Sequence, residues 1–250
     1  MKSTLFEIMG IPIRSYGMMM VIGFALGLWR AIRVGRRVGF APERIYDLSL
    51  VVLLSGVVGA RLVFVLLNPD TENWARFYAV WNGGLSFHGG VLLAVVGGYC
   101  YTRFTGLGFW QCADLFAPSI AIGYAVTRVG CFLNGCCYGA PTNLPWAVRF
   151  VENGVCTPPS HPTQIYATLA NLIIYLILTR LESWQRNPGF IFTSYLMLYG
   201  VYRFAVEFLR KGYSAKLLWA GLTQAQVISL AMIGLCGLVL LVKYRRPRKP

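Results

Sequence analysis

The chain has 250 residues, of which 56% are hydrophobic and 13% are charged, and its formal net charge is +14. Since a soluble domain carries about a quarter charged residues, this apolar excess excludes an ordinary soluble domain and predicts a protein that spans a bilayer. The basic residues flank apolar segments and do not alternate with aromatic residues along one surface. This pattern excludes a nucleic-acid-binding protein and indicates membrane orientation and contact with anionic lipids.

Seven apolar segments follow one another along the chain, and they predict an all-α membrane protein with about seven transmembrane helices. The first and third segments are short for a span of roughly 20 residues, so we expect them to extend into their flanks. No small-residue cleavage site follows the first segment, which we therefore interpret as a span and not as a signal peptide. Without linkers or repeats in the sequence, we expect one integral-membrane domain, 1–250. The segments are 16–31, 45–67, 89–102, 110–129, 164–181, 190–208 and 222–242.

The distribution of lysine and arginine predicts the orientation, because short cytoplasmic loops carry an excess of both. The basic tail is predicted to be cytoplasmic, and an odd number of spans then places the N-terminus outside. Three loops agree with this orientation. The residues concerned are Arg30, Arg33, Arg36, Arg37 and Arg44 in the first loop, Arg103, Arg180 and Arg186 in the other two, and Lys243, Arg245, Arg246, Arg248 and Lys249 in the tail.

The remaining basic residues, among them five arginines, violate this bias because they fall in the outer half of spans or in outer loops. An ionisable group within a span costs at least roughly 2.5–3.5 kcal/mol, so each one needs a reason. Contact with substrate is one reason, and a buried ion pair that fixes helix packing is another. The five arginines are Arg61, Arg128, Arg149, Arg203 and Arg210.

The first of four polar segments is NGGLSFHGG at 82–90, where the third span begins. Its paired glycines allow a tight turn or a close approach of the backbone to a ligand. His88 is one of only two histidines in the chain. It is either a structural residue of a capping loop, or a proton acceptor or headgroup contact. In the predicted orientation all four polar segments lie at outward-facing ends of spans.

The second polar segment is TRVGCFLNGCCYG at 127–139, where the fourth span ends. The guanidinium of Arg128 can bind a phosphate through two parallel hydrogen bonds, and backbone N–H groups of the loop can add more. Alternatively, Arg128 simply extends to the membrane interface. That alternative leaves the glycines and Asn134 unexplained.

The third polar segment is HPTQIY at 161–166, where the fifth span begins. His161 is predicted near the N-cap, and Pro162 near the first turn, where a missing N–H does no harm. Taken alone, this segment mainly predicts a helix start.

The fourth polar segment is YRFAVEFLR at 202–210, near the outer end of the sixth span. Arg203 and Glu207 are four residues apart, so they share a helix face and can pair, and Arg210 lies three residues further. This group is either architectural, or it holds one arginine ready for phosphate while Glu207 keeps the other in place.

Four of the seven cysteines are predicted on one outer loop, which would lie in an oxidising compartment if the membrane is a bacterial inner membrane. A disulfide between Cys156 and either Cys136 or Cys137 is one expectation, and a nucleophilic thiol is another. A metal site is disfavoured, because the spacing C-x4-C-C-x18-C, which begins at Cys131, matches no common zinc pattern. The other three, Cys100, Cys112 and Cys236, fall in predicted spans and are expected to pack as small apolar residues.

Together the polar segments resemble the prolipoprotein diacylglyceryl transferase family. The matching stretches are GGLSFHGG at 83–90, the glycine-rich segment at 128–139, HPTQIY at 161–166 and RFAVEFLR at 203–210. Two shorter matches are SYG at 15–17 and LTQAQ at 222–226. The motifs occur in the order of the family and cover nearly the whole chain, which makes the resemblance specific.

The resemblance implies a multi-pass enzyme of the bacterial inner membrane, with its active site toward the periplasm. It would transfer the diacylglyceryl group of phosphatidylglycerol to the lipobox cysteine thiol of a preprolipoprotein and release glycerol-1-phosphate. Its expected partners are phosphatidylglycerol, the signal-peptide region of the preprolipoprotein and membrane lipids, and neither nucleic acid nor a metal or organic cofactor is expected.

The resemblance also implies roles for individual residues. Arg128 and Arg203 would bind the phosphate, since charge develops on it as it departs. His88 would accept or relay the thiol proton or orient the headgroup, with an arginine-activated water as the alternative base, and Tyr16 would donate a hydrogen bond to the headgroup. The expected catalytic residues are Tyr16, His88, Arg128 and Arg203, and the expected substrate-binding residues are Arg128, Asn134, Gly139, His161, Arg203 and Glu207.

The chain departs from the family pattern at two positions of the glycine-rich segment. Many members carry Asn where Cys131 stands and Glu where Cys136 stands, so a carboxylate is missing. Either that carboxylate is dispensable, a Cys136–Cys137 disulfide replaces it structurally, or the chain is a paralogue that binds phospholipid or lipoproteins or has altered specificity. A small-molecule transporter is a further alternative, but it needs a polar path near the midplane, for which only Arg61 and Asp114 are candidates.

Overall fold

The structure, a computed structural model, describes residues 4–8, 11–68, 74, 77–78, 84–152, 155–184, 187–210, 217–219 and 221–244. Seven helices follow one another within these residues. They are α1 Ser15–Arg37, α2 Pro42–Leu67, α3 Phe87–Thr105, α4 Phe109–Asn134, α5 Thr163–Trp184, α6 Phe190–Glu207 and α7 Gln224–Lys243. The short strands are β1 Thr4–Ile8, β2 Ile11–Arg14, β3 Val151–Glu152, β4 Val155–Cys156, β5 Leu217–Trp219 and β6 Leu222–Thr223.

Each helix coincides with one of the seven predicted apolar segments, and the predicted helical membrane protein is confirmed at that level. Five helices, α1, α2, α4, α5 and α7, are long and apolar enough to cross a membrane. The other two, α3 and α6, have 19 and 18 residues. As expected, the short first and third segments extend into their flanks. The exact number of spans stays a prediction.

The predicted orientation rests partly on basic residues whose placement differs from the prediction. Helix α1 continues to Arg37, so four arginines assigned to the first loop are helical, and Arg44 belongs to α2. Five other basic residues used for the orientation lie outside the described part of the chain, namely Arg186, Arg245, Arg246, Arg248 and Lys249. The orientation therefore stays a prediction. Asn82 and Gly83 of the first polar segment also lie outside the described residues.

Three two-stranded antiparallel hairpins accompany the helices, and none of them was predicted from the sequence. The hairpin β1–β2 directly precedes α1, β3–β4 lies between α4 and α5, and β5–β6 directly precedes α7. Strands of two to five residues are too short to show the alternation that identifies a strand.

The chain divides into two compact units, here called the larger unit, 1–30 and 113–250, and the smaller unit, 31–112. In the smaller unit α2 packs closely against α3. A Cβ added to Gly59 would lie 2.4 Å from the carbonyl oxygen of Gly89, and the reverse holds as well. These glycines are therefore required for close backbone approach, as is common between membrane helices.

Arg61, one candidate for a polar path through the membrane, has a structural position in the smaller unit. Its side chain is 5% exposed. Its Nε donates to the carbonyl oxygen of Phe77 and its Nη1 to that of Gly84, both at 3.1 Å. Arg61 therefore binds the backbone at Phe77 and at Gly84, which lies just before α3, and Ser86 accepts the N–H of Gly89 as the N-cap of that helix.

In the larger unit the core forms where α4, α5 and α6 meet. Asp114, the other candidate for a polar path, caps α6 by accepting the N–H groups of Gly189 at 2.6 Å and Phe192 at 2.8 Å. A carboxylate at a helix N-terminus is favourable because unpaired N–H groups point toward it. Both polar-path candidates thus have structural partners. The core residues are Ala117, Ala121, Ile174, Leu178, Ile191 and Tyr195.

Arg30 was predicted in a cytoplasmic loop, and this prediction is wrong. The residue lies within α1 and is 5% exposed. Its guanidinium donates to the carbonyl oxygen of Leu115 at 3.0 Å and to Ser119 Oγ at 3.3 Å, and it forms an ion pair with Glu182. A charge so well partnered can stay inside the helix, which is why α1 runs past it.

Candidate active site

The glycine-rich segment leaves α4 through a tight turn in the larger unit. Helix α4 ends at Asn134, and Gly135 follows in the left-handed conformation with φ 74°. Cys137 also has a positive φ of 64°, which is uncommon for a residue with a side chain. The N–H of Cys136 donates back to the carbonyl oxygen of Cys131 at 3.1 Å. The last turn of α4 and the residues after it therefore have a defined shape, and we call this segment, 131–137, the cysteine turn.

Side chains from the start of α5 fasten the cysteine turn. Thr163 Oγ1 donates to the carbonyl oxygen of Cys137, and Gln164 Nε2 donates to that of Cys136, both at 2.7 Å. Both anchoring side chains are buried. The second and third polar segments predicted from the sequence therefore meet, and the third does more than start a helix.

Gly139 joins the same region to the end of α6. Its N–H donates to the carbonyl oxygen of His161 at 2.9 Å, and the N–H of Ala140 donates to that of Leu209 at 2.8 Å. A Cβ on Gly139 would lie 2.3 Å from the carbonyl oxygen of Leu209. Only glycine fits at this position, which gives Gly139 a packing role in addition to any contact with substrate.

Arg128 lies on α4, one turn before the cysteine turn, and is half-buried. Its Nη2 donates to the hydroxyl oxygen of Tyr124, and its guanidinium lies 4.6 Å from the centroid of that ring. A cation over an aromatic face is attracted by the ring quadrupole. Tyr124 therefore holds the guanidinium of Arg128 in place.

A cluster of tyrosines connects Arg128 with Arg203. The Tyr124 ring contacts Tyr199 edge to face at 5.8 Å, and the rings of Tyr199 and Tyr202 are also 5.8 Å apart. Both guanidinium groups lie within electrostatic range of the hydroxyls of Tyr199 and Tyr202. The second and fourth polar segments thus contribute their cations to one region.

The predicted pairing of Arg203 with Glu207 is confirmed. Arg203 Nη1 donates to Glu207 Oε2, and the Glu207 side chain is 1% exposed. The second carboxylate oxygen accepts the hydroxyl of Thr223 at 3.1 Å. Arg210 forms no ion pair with Glu207, although both residues are described, and lies within electrostatic range of Cys137. Glu207 therefore fixes one guanidinium only.

Tyr16, the second residue of α1, lies beside the cysteine turn. Helix α1 approaches α4 closely here, since a Cβ on Gly130 would lie 3.3 Å from the Cα of Tyr16. The Tyr16 hydroxyl is within electrostatic range of Arg128, Cys131 and Cys136, and the residue is 39% exposed. Tyr16 is therefore both accessible and close to Arg128.

The remaining two predicted site residues of the larger unit have mainly local contacts. Asn134 interacts through its side chain with the thiol of Cys136. His161 Nδ1 lies 3.3 Å from the hydroxyl of Tyr166, which also accepts the indole N–H of Trp146 at 2.7 Å. His161 precedes the first residue of α5 and is half-buried.

His88 belongs to the smaller unit and is the second residue of α3. Its ring is exposed and contacts Phe87 edge to face at 5.9 Å. Within the described residues its ring nitrogens have no hydrogen-bond partner. Its neighbour Gly89 is part of the close contact with α2 described above.

The cysteines differ from the prediction in their grouping. Cys131 belongs to α4 and not to a loop, and its Sγ atom and those of Cys136 and Cys137 lie within 4.8 Å of one another. Cys156 is exposed on β4, and the predicted disulfide to it is not formed. Hydrogen bonds from the thiols of Cys131 and Cys136 lower the pKa of Cys137, and nearby Arg128 lowers it further. Cys112 and Cys236 are buried as expected, whereas Cys100 is exposed.

Several residues of this site were not predicted from the sequence. Tyrosines within a span appear in a hydropathy pattern as apolar residues. Only their spacing along a helix could have indicated that they share one face of it. Thr163, Gln164 and Thr223 stood inside recognised motifs without an assigned role. The residues concerned are Tyr124, Thr163, Gln164, Tyr199 and Thr223.

Comparison with known proteins gives consistent matches. Residues 3–243 match the model of the family described as prolipoprotein diacylglyceryl transferase. The phosphatidylglycerol–prolipoprotein diacylglyceryl transferase of Finegoldia magna is 34% identical over 249 residues, covering 98% of this chain and 97% of that protein. The enzyme of the same name from Solidesulfovibrio magneticus is 40% identical over 248 residues, covering 93% and 91%. That from Pasteurella multocida is 32% identical over 253 residues, covering 98% and 93%.

Proposed function

The chain belongs to the prolipoprotein diacylglyceryl transferase family, and from this premise we propose that it transfers the diacylglyceryl group of phosphatidylglycerol to a prolipoprotein. The acceptor in this proposal is the thiol of the lipobox cysteine, and the second product is glycerol-1-phosphate. The enzyme acts in the bacterial inner membrane, with its active site facing the periplasm.

The reaction sets two requirements for the protein. A C–S bond forms at the glycerol carbon that carries the phosphate, while the C–O bond from that carbon to the phosphate breaks. The acceptor thiol must lose its proton, because the thiolate is the nucleophile. The departing phosphate gains negative charge, which preorganised hydrogen-bond donors stabilise.

The observation that carries the proposal is that the contacting rings of Tyr124, Tyr199 and Tyr202 bring Arg128 on α4 into the same region as Arg203 on α6. A guanidinium has five N–H donors. Within the described residues, Tyr124 accepts one donor of Arg128, and Glu207 accepts one donor of Arg203. Donors therefore remain on both groups to bind phosphate oxygens, which guanidinium groups do through paired hydrogen bonds. In this proposal the two arginines bind the phosphodiester and stabilise its charge as it leaves.

The other residues of the larger unit support these arginines. Glu207 is a positioning residue, since its carboxylate is held by Thr223 and orients Arg203. Tyr16 is accessible beside Arg128 and donates its hydroxyl proton to a headgroup oxygen in this proposal. Asn134 and His161 line the cysteine turn and the segment fastened to it, and they contact the headgroup or the acceptor peptide.

The role of His88 rests on different support, because this residue lies in the smaller unit. Its ring is exposed and has no hydrogen-bond partner within the described residues, so both nitrogens are available. An imidazole is a suitable proton acceptor near neutral pH. We assign to His88 the acceptance of the thiol proton.

The test is a transfer assay with the purified protein, phosphatidylglycerol and a peptide that contains a lipobox cysteine. A thioether-linked diacylglyceryl peptide, identified by mass spectrometry, is the expected product. Arg203→Ala should abolish transfer while the protein remains inserted and folded, and Arg103→Ala, an exposed arginine on α3, serves as the control. Near-normal transfer by Arg203→Ala would refute the phosphate role. Binding of the lipid without any product in the unmodified protein would indicate a non-catalytic paralogue.

A further inference from the structure

The cysteine turn brings three thiols together beside the proposed phosphate site. We propose that Cys131, Cys136 and Cys137 bind a zinc ion whose fourth position is open and accepts the thiol of the lipobox cysteine. This inference rests on the proposed function, because it names how the acceptor thiol is activated there.

The geometry of the three thiols suits such an ion. Their Sγ atoms lie within 4.8 Å of one another. In a tetrahedral site with Zn–S distances of about 2.3 Å, neighbouring sulfur atoms are about 3.8 Å apart. The thiols therefore need to close by about 1 Å at most, which small rotations of the side chains supply. Three soft sulfur ligands with no oxygen ligand select for a thiophilic ion.

The backbone of the turn is held by bonds that do not involve the sulfur atoms, and Cys136 Sγ donates a further, long bond to the carbonyl oxygen of Cys131 at 3.7 Å. Thr163 and Gln164 donate to the carbonyl oxygens of Cys137 and Cys136, so the backbone is fixed from the side of α5. The positive φ of Cys137 allows two consecutive cysteines to direct their thiols to the same point as Cys131. A preorganised set of ligands lowers the cost of binding an ion.

The exposure of the three cysteines is graded. Cys131 is buried, Cys136 is half-buried, and Cys137 is exposed. An ion bound among them would be closed by protein on the side of Cys131 and open on the side of Cys137. Zinc sites with three protein ligands and one open position are those that bind and activate a reactant.

Charge also favours this arrangement. Three thiolates around Zn²⁺ carry a formal net charge of about −1, which needs a cation nearby in a membrane protein. Arg128 and Arg210 both lie within electrostatic range of Cys137, and Arg128 also of Cys131. The arginine that binds phosphate in the proposed function is thus next to the point where the acceptor sulfur would be bound.

The zinc ion acts in this proposal by activating the acceptor thiol. The acceptor thiol gives up its proton, which His88 accepts in the proposed function, as its sulfur takes the fourth position on the ion, because a coordinated thiol is deprotonated. The bound sulfur then forms the C–S bond to the glycerol carbon, and the C–O bond to phosphate breaks, with the electron pair leaving on the phosphate oxygen. The thioether product, a weaker ligand than a thiolate, dissociates, and the ion keeps its oxidation state and its three protein ligands.

The first experiment measures zinc in the full-length protein, purified in detergent without chelator. We expect about one zinc ion per chain. Cys137→Ser should weaken Zn²⁺ binding by roughly tenfold or more, and Cys156→Ser, an exposed cysteine outside the cluster, should not change it. Protein that neither contains nor takes up Zn²⁺ in titration would overturn the proposal, as would a disulfide between two of the three cysteines in active protein.

The second experiment tests the open position with Co²⁺ in place of Zn²⁺. Addition of the lipobox peptide should intensify the sulfur-to-cobalt charge-transfer absorption, whereas a peptide with serine in place of the cysteine should leave it unchanged. Equal spectra with both peptides would refute the open position. Full-rate transfer by metal-free protein would overturn this inference and leave the proposed function standing. Bound zinc that takes up the lipobox thiol without any transfer would refute the proposed function and leave only the zinc site standing.

Discussion

The ion pair between Arg203 and Glu207 offers a sharp test of how the proposed phosphate site is positioned. The substitution Glu207→Gln keeps the shape of the side chain and an acceptor for the Thr223 hydroxyl, but removes the negative charge that Arg203 contacts. The Glu207 side chain is 1% exposed, so water cannot replace that charge. We therefore expect Arg203 to lose its fixed orientation while the fold is retained.

The magnitude follows from the kind of bond that is lost. A hydrogen bond to a charged group contributes about 1.5–3 kcal/mol, and each 1.36 kcal/mol of transition-state stabilisation is tenfold in rate. The expected loss in kcat/KM is therefore roughly 10- to 150-fold. If Arg203 acts mainly on the departing phosphate, most of the loss should be in kcat and not in KM.

The assay is the transfer reaction with varied phosphatidylglycerol, together with thermal unfolding of the same samples. Glu182→Gln is the matched control, because it removes the carboxylate of a second ion pair among the described residues of the larger unit, that with Arg30. This control should lower the melting temperature but leave kcat/KM nearly unchanged. A Glu207→Gln variant that loses stability as the control does, with unchanged kcat/KM, would refute the positioning role.

Two further substitutions test other parts of the site. Tyr124→Phe removes the hydroxyl that Arg128 contacts and should lower transfer about 2- to 13-fold, since a typical hydrogen bond contributes about 0.5–1.5 kcal/mol. The control is Tyr195→Phe, which removes a hydroxyl that has no hydrogen-bond partner within the described residues and should not lower transfer. Equal losses in the two variants would contradict the role of Tyr124. Gly139→Ala places a Cβ 2.3 Å from a backbone oxygen and should lower the melting temperature and the yield of folded protein. Gly234→Ala, which has open space around it, should do neither, and a stable Gly139→Ala variant would contradict the packing argument.

The sequence indicated the helices well because each is a long apolar segment. It was least accurate where a charge is neutralised by a distant partner. Arg30 resembled a loop residue, yet its contact with Glu182, 152 positions away, allows α1 to continue to Arg37. A local pattern cannot contain that partner. The short hairpins were missed for a related reason, since their pairing has no signature within so few residues.

The candidate site shows the same division between local and distant contacts. The pairing of Arg203 with Glu207 followed from a spacing of four residues on one helix. The contact of Arg128 with Tyr124 has the same spacing, but tyrosine resembles an ordinary span residue and was overlooked. The thiol cluster depends on the path of the turn after α4 and on the hydrogen bonds that Thr163 and Gln164 of α5 make to it. The spacing of the cysteines in the sequence contains neither feature, so it disfavoured such a cluster.

The contact between Gly59 and Gly89 constrains how this part of the chain can vary. In a bilayer the lipid solvates the outer faces of α2 and α3 as well as another helix would, so exchanges among apolar residues there are nearly neutral. Between the two glycines there is no room for even one methyl group. Helix α3, which carries His88, can thus pack against α2 only because Gly59 and Gly89 have no side chains. Its position is insensitive to most lipid-facing substitutions, but one methyl group added at either glycine would displace it.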